Sequence, residues 1–167
     1  MTPVYGTALP AGGLTHVTPA GDARMVEVGE KEVTRRSATA EGWVRLGAEA
    51  LAAVVERRAK KGDVLTIAQI AAIQGAKRTA EWIPLCHPLA LDGVDVHLEV
   101  IDGAIRIEAT ARCTGRTGVE MEALTAVTAG ALTVYDMLKA VDRGIRIEGI
   151  RLLAKSGGRS GDWRVGS

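Results

Sequence analysis

The chain has 167 residues, 47% apolar and 25% charged, with a net charge of +1, two cysteines, three histidines and no phenylalanine. Such a composition suits one domain with a substantial aliphatic core, and it argues against a disulfide framework, a C-x₂-C zinc site and a helix long enough to span a bilayer. Near-neutral charge supplies no global field for nucleic acid or an anionic membrane, so a phosphate ligand must be met by a local cluster of Lys and Arg.

The opening "MTPVYGTALPAGG" is rich in small residues, Gly and Pro without periodicity. It reads as a flexible arm over residues 1–13, followed by one domain over 14–167. It lacks the basic and long apolar regions of a signal peptide, so a cytoplasmic protein is expected. "RMVEVGEKEVTRRSATAEGWVRL" alternates in places (Val26, Val28; Val33, Arg35) and predicts one or two strands. "GAEALAAVVERRAKKG" predicts a helix with cations in its last turn and a stop at Gly62. A second helix is expected over "DVLTIAQIAAIQGAKRTAEWI", capped by Asp63 and ended ahead of Pro84.

"GVDVHLEVIDGAIRIEATARCTG" predicts a hairpin with one wet face: Val94, Val96, Leu98 and Val100 alternate with polar residues, Asp102-Gly103 turns the chain, and Ile105, Ile107 and Ala109 alternate in turn. "GVEMEALTAVTAGALTVYDMLKAVD" then predicts a long helix with no charge between Ala123 and Tyr135. A helix apolar all round is buried on more than one side, here by the sheet and by a second surface for which another subunit is a candidate. A closing strand runs through Leu153 into a glycine-rich basic tail. The order of elements predicts an α+β fold, a ferredoxin-like antiparallel sheet with helices packed on one face.

Five segments carry possible chemistry. In "EWIPLCHPL", Pro84 and Pro88 stiffen both flanks of Cys86 and His87, which fixes that pair in an irregular loop. Cys86 reads as a small buried hydrophobe, and the spacing offers no metal site. "KKGDV" places Lys60 and Lys61 at a helix junction, either as a solvated cap or as part of a site. "VEMEA" sets Glu120 and Glu122 at a helix start, where anions meet the helix dipole. Two residues apart on a helix they point about 200° apart, so only one is expected to face a given pocket unless both precede the first regular turn. "YDMLK" puts Asp136 and Lys139 three apart on one face. They are either a surface ion pair or, in a pocket that lowers the lysine's pKa, an acid-base pair. "AKSGGRSG" holds Lys155 and Arg159 among glycines, a flexible tail or a cradle for phosphate oxygens. Together these point to acid-base chemistry on a phosphorylated small molecule, with no redox or metal equipment.

"IPLCHPL", "TGVEMEALTA", "YDMLKAV" and "LLAKSGGRSGD", in this order and spacing, with "KGDV" and "IQGAKRT", resemble the cyclic pyranopterin monophosphate synthase family, the second step of molybdenum cofactor biosynthesis. The resemblance covers the chain from about Leu14 to its end. It implies an enzyme that rearranges the cyclised GTP derivative 3′,8-cyclo-7,8-dihydro-GTP to a pyranopterin, closes a cyclic phosphate and releases diphosphate. It also implies a ferredoxin-like fold in a homohexamer, a trimer of dimers with the pocket at the dimer interface, and no cofactor or metal. Asp136 and Lys139 become the central catalytic pair with Lys61 as a further catalytic cation, while Lys61, His87, Glu120 and Lys155 line the pocket. Leu85, Cys86, His87, Met121 and Glu122 become substrate-binding, Cys86 as packing support and not as a nucleophile. Lys139 is expected to be the general acid-base group, Asp136 its orienter, and Lys61 with Lys155 to stabilise phosphate charge. Lys61 and Asp136 are expected to reach one pocket from different chains. A rival from another class, a ferredoxin-like module that binds RNA or a metabolite without chemistry, fits less well: the hairpin has no aromatics for base stacking, and a binding module does not need a lysine-carboxylate pair at the end of a buried helix.

Overall fold

A computed structural model of the chain describes residues 20–159 and 161–166, so the expected arm at 1–13 lies outside the described residues. The elements run β1 (Thr34–Arg45), α1 (Ala48–Val55), α2 (Val64–Lys77), α3 (Thr79–Trp82), β2 (Gly93–Ile101), β3 (Ala104–Gly115), α4 (Glu120–Leu138), β4 (Arg146–Ser156) and β5 (Trp163–Arg164). The strands form one antiparallel sheet in the order β2-β3-β1-β4-β5. β1 and β2 therefore run parallel with β3 between them, and β3 and β4 run parallel with β1 between them. Two interleaved split βαβ units of this kind are the ferredoxin-like arrangement. Among the described residues no helix is long and apolar enough to cross a membrane.

The predicted hairpin forms in the expected register, with Ile101 opposite Ala104. Asp102 (φ 50°) and Gly103 (φ 74°) both take positive φ, as the two central residues of a type I′ turn require. Its apolar residues face α2 and α4. The opposite face carries Arg106, Glu108 and Arg112, and there the nearly buried Glu41 of β1 receives Arg106 at 2.9 Å and Arg151 at 2.7 Å. Burial pushes the Glu41 carboxyl up, but the bonds from Arg151 and Arg106 outweigh it and hold it below its ordinary value.

Alanine sets the helix geometry. Ala123, Ala126, Val127, Ala131 and Val134 of α4 are buried in one core with Ala68, Ala72 and Ala76 of α2. Val127 meets the sheet at Gly42, and α2 reaches it beside α4, where Gln69 Nε2 donates to Val96 O at 2.8 Å. Side chains this small let α2 and α4 approach closely along their lengths. The second burial surface that a charge-free helix demands is thus α2 of the same chain, and another subunit is not needed for it. Within the charge-free stretch of α4 one half-exposed position remains, Leu132.

Four boundaries differ from expectation. The first strand covers only Thr34–Arg45, and the alternating Val26 and Val28 lie in irregular chain. α1 ends at Val55 and not near Gly62, because Arg57 takes φ 53° and closes a Schellman motif, with Arg57 N–H donating to Val54 O and Arg58 N–H to Ala53 O. The second helix has its Asp63 cap, which accepts from Thr66 N–H at 3.1 Å, but it breaks at Arg78 into α2 and the one-turn α3. β4 continues past Leu153 to Ser156, and the short β5 pairs with its end.

Candidate active site

The early end of α1 leaves the chain free to turn through Lys60 and Lys61 and lie against the C-terminal end of α4. There Lys61 Nζ donates to Asp136 Oδ2 at 2.6 Å and to the Asp136 carbonyl at 2.9 Å, and Lys139 Nζ is 2.7 Å from Asp136 Oδ1. Lys61 and Asp136 are therefore joined within one chain, which corrects the expectation that they come from different chains. The three side chains are about half exposed, at 49%, 54% and 56% for Lys61, Asp136 and Lys139. Lys139 and then Lys61 hold the Asp136 carboxyl down at about 2, and Asp136 pushes the Lys139 ammonium up. The expected lowering of the lysine's pKa by desolvation does not occur in the single chain. As it stands Lys139 is a cation at neutral pH that can donate a proton and attract phosphate, but not accept one.

The remaining predicted residues gather at the other end of α4. A cavity of about 940 Å³ is lined by five cations, Lys31, Arg36, Arg116, Lys155 and Arg159, and by four carboxylates, Glu27, Glu30, Glu32 and Glu120, with Gly157 and Gly158 in its wall. A smaller one of about 300 Å³ adjoins it, lined by Leu85, Cys86, His87, Met121, Glu120 and Glu122, with Val26, Val28 and Leu89 as apolar walls. Both glutamates line the smaller cavity, as the resemblance implied for them, although they stand two apart in the first turn of α4. Lys155 Nζ lies 3.1 Å from Glu120 Oε1.

Local sequence explains the positions. Pro84 sits at the second position of a turn closed by Cys86 N–H to Ile83 O at 3.0 Å, which presents Leu85 to His87 to the cavity. The Glu120 carboxylate folds back over Gly118 so closely that a Cβ there would overlap it. Gly157 and Gly158 take φ of 86° and 79°, and a Cβ on Gly157 would strike the Arg35 carbonyl, so the tail lies against the start of β1 there only as glycine.

Electrostatics separate the two carboxyls. Glu122 is 4% exposed, and burial raises its carboxyl to about 7, with Glu120 contributing. Burial, then Glu122, also raises the Cys86 thiol above its ordinary value, so it keeps its proton at neutral pH. Among the described residues no group of three or more His, Cys, Asp or Glu could hold a metal ion.

The two clusters are not one pocket within one chain. Glu120 and Asp136 stand at opposite ends of the 19-residue α4, about 24 Å apart at the helical rise per residue. Lys31, Arg36 and Arg116 were not singled out from the sequence. Arg116 had a signal, as a cation between glycines just ahead of a helix start, where backbone N–H groups favour anions. Lys31 and Arg36 had none, since nothing local brings the start of β1 beside the end of β4.

Fold and cavities define an α+β protein of ferredoxin-like topology, with a larger cavity lined by charged side chains of both signs opening beside a smaller, largely apolar one. The sequence matches the MoaC family over residues 25–158, and the chain belongs to that family. The cyclic pyranopterin monophosphate synthase of Chloroflexus aurantiacus is 56% identical over 153 residues, covering 90% of this chain and 94% of its own. That of Rhodospirillum rubrum is 57% identical over 155 residues, covering 92% and 93%. Among solved structures the de novo designed protein Foldit4 aligns with 74% of this chain and 99% of its own at 10% identity, with a TM-score of 0.28, too low to bear on the fold.

Proposed function

We propose that this protein is a cyclic pyranopterin monophosphate synthase, converting 3′,8-cyclo-7,8-dihydro-GTP to cyclic pyranopterin monophosphate with release of diphosphate in the cytoplasm. Residues 14–167 act as the single synthase domain. The observation that carries the reading is the pairing of cavities at the start of α4. A bicyclic ring system fits the smaller, between the apolar walls and the polar groups of His87 and Glu122. A polyphosphate fits the larger, against Arg36, Lys155 and Arg159. Cys86 packs as part of the wall.

The acid-base groups stand about 24 Å from these cavities in the same chain, and ring rearrangement needs both at one place. The active site is therefore completed by a second protomer: Lys61, Asp136 and Lys139 of one chain face the cavities of another, as in a dimer that assembles further into a hexamer. Burial at that interface strips water from Lys139 and brings its pKa toward the working range, with Asp136 as orienter. Glu120, Met121 and Glu122 hold the ring side of the substrate.

The test is incubation with the cyclised GTP substrate, reading diphosphate and pterin. Asp136→Asn and Lys139→Ala are expected to fold and assemble normally and to lose kcat by about 100-fold or more, with little change in KM. A rise in KM alone would make the pair a phosphate clamp, and absence of diphosphate from the wild-type protein would remove the assignment.

A further inference from the structure

The two cavities meet at four residues that line both: Lys31, Thr117, Gly118 and Glu120. Of these only Lys31 is a cation. It lies in the irregular segment ahead of β1, which is held in place at this residue. The Lys31 N–H donates to Val28 O at 3.1 Å, and the Lys31 carbonyl accepts from Arg116 Nε at 3.1 Å. That second bond ties the segment to the loop that opens α4. The Lys31 ammonium itself makes no ion pair among the described residues, whereas Lys155 at the same cavity is joined to Glu120. Its backbone is fixed, and although Glu27, Glu30 and Glu32 line the larger cavity with it, none of them forms an ion pair with it.

A ligand with its ring in the smaller cavity and its outer phosphates in the larger passes its sugar and first phosphate through this junction. We infer that Lys31 binds the α-phosphate of the substrate and stabilises the charge that develops there as the cyclic phosphate closes, an inference that rests on the reading of the site above. In that step a hydroxyl oxygen on the sugar-derived carbons forms a bond to the α-phosphorus. The bond from that phosphorus to the oxygen bridging to the β-phosphate breaks, its electron pair leaves on diphosphate, and the hydroxyl proton passes to water. An ammonium placed at the reacting phosphorus interacts most strongly when charge is greatest on its oxygens, so it acts on the transition state. Arg36 and Arg159, which line only the larger cavity, hold the departing diphosphate.

The experiment uses the whole protein and three probes, guanosine, GMP and GTP, with diphosphate release from the cyclised substrate as a fourth readout. In Lys31→Ala, guanosine affinity is expected to be unchanged, while GMP and GTP both weaken by roughly tenfold or more, the worth of one charge-assisted contact. kcat should fall about 100-fold, and Lys31→Arg should restore most of the GMP affinity. Arg36→Ala should weaken GTP and leave GMP alone. If Lys31→Ala weakens GTP but not GMP, the residue belongs to the outer phosphates. If guanosine weakens equally, its role is structural, and if nothing changes, it has no part. Each of these results overturns the proposal. A wild-type protein that shows the expected binding pattern but releases no diphosphate would instead remove the proposed reaction and leave the α-phosphate contact standing.

Discussion

The close approach of α2 and α4 rests on glycine at one crossing point. A Cβ built on Gly75 would lie 2.5 Å from the Ala129 Cβ and 3.0 Å from the Thr125 carbonyl oxygen, against a carbon-carbon contact distance of about 3.5–4.0 Å. In Gly75→Ala the helices must part locally by about 1 Å, and neither an alanine methyl nor a backbone carbonyl has a rotamer with which to yield. Overpacking costs roughly 1–3 kcal/mol, here near the top of that range. Alanine's better helix propensity returns about 1 kcal/mol. The net loss of about 2 kcal/mol lowers Tm by about 4–8 °C for a chain of this length. Gly130→Ala is the control. Its Cβ would meet nothing nearer than 3.4 Å, so Tm should stay level or rise. Calorimetry at one fixed protein concentration decides. Gly75→Ala as stable as wild type, with Gly130→Ala the weaker of the two, would refute this account of the helix packing.

Glu122 makes stability depend on pH with a definite sign. Its folded pKa, raised to about 7 by burial, lies above its unfolded value, so the folded state holds the extra proton and stability falls as pH rises from the ordinary carboxylate range through 7. Glu122→Gln should flatten the drop in Tm between pH 5 and pH 8, and parallel slopes for the two proteins would show the carboxyl to be ionised throughout. At the neighbouring loop, Cys86→Ser is expected to keep most activity and His87→Ala to lose more. A folded but inactive serine variant would give the thiol a chemical role that its raised pKa argues against.

The hairpin and the long helix were legible because local chemistry decides them: Asp102-Gly103 takes the one turn its residues favour, and the 19 residues of α4 form a charge-poor stretch without a breaker that is too long for a strand. The end of α1 was not legible, because it depends on Arg57 adopting a left-handed conformation that the sequence would assign to Gly62. β5 has too few residues to show a pattern. The charge-free stretch of α4 gave a correct inference, burial on two faces, and the chain itself supplies the second face, since α2 lies beside it. Motif resemblance named the site residues as a single set. Their division into two groups is a matter of helix rise between Glu120 and Asp136, while the joining of Lys61 to Asp136 in one chain depends on where the turn after α1 lands.

The central claim, that each active site takes Lys61, Asp136 and Lys139 from one protomer and the cavities from another, is tested most directly by mixing inactive variants. Asp136→Ala and Lys155→Ala are unfolded and refolded together and assayed for diphosphate release. Random pairing makes about half the dimers mixed, each with one doubly damaged site and one intact site, so about a quarter of wild-type activity should return. Asp136→Ala mixed with Lys61→Ala should recover nothing, because both lesions fall in the same half-site whichever way the chains pair. If the first mixture stays as inactive as its parents while size measurements confirm subunit exchange, or if the second regains activity, the two half-sites are not shared as described.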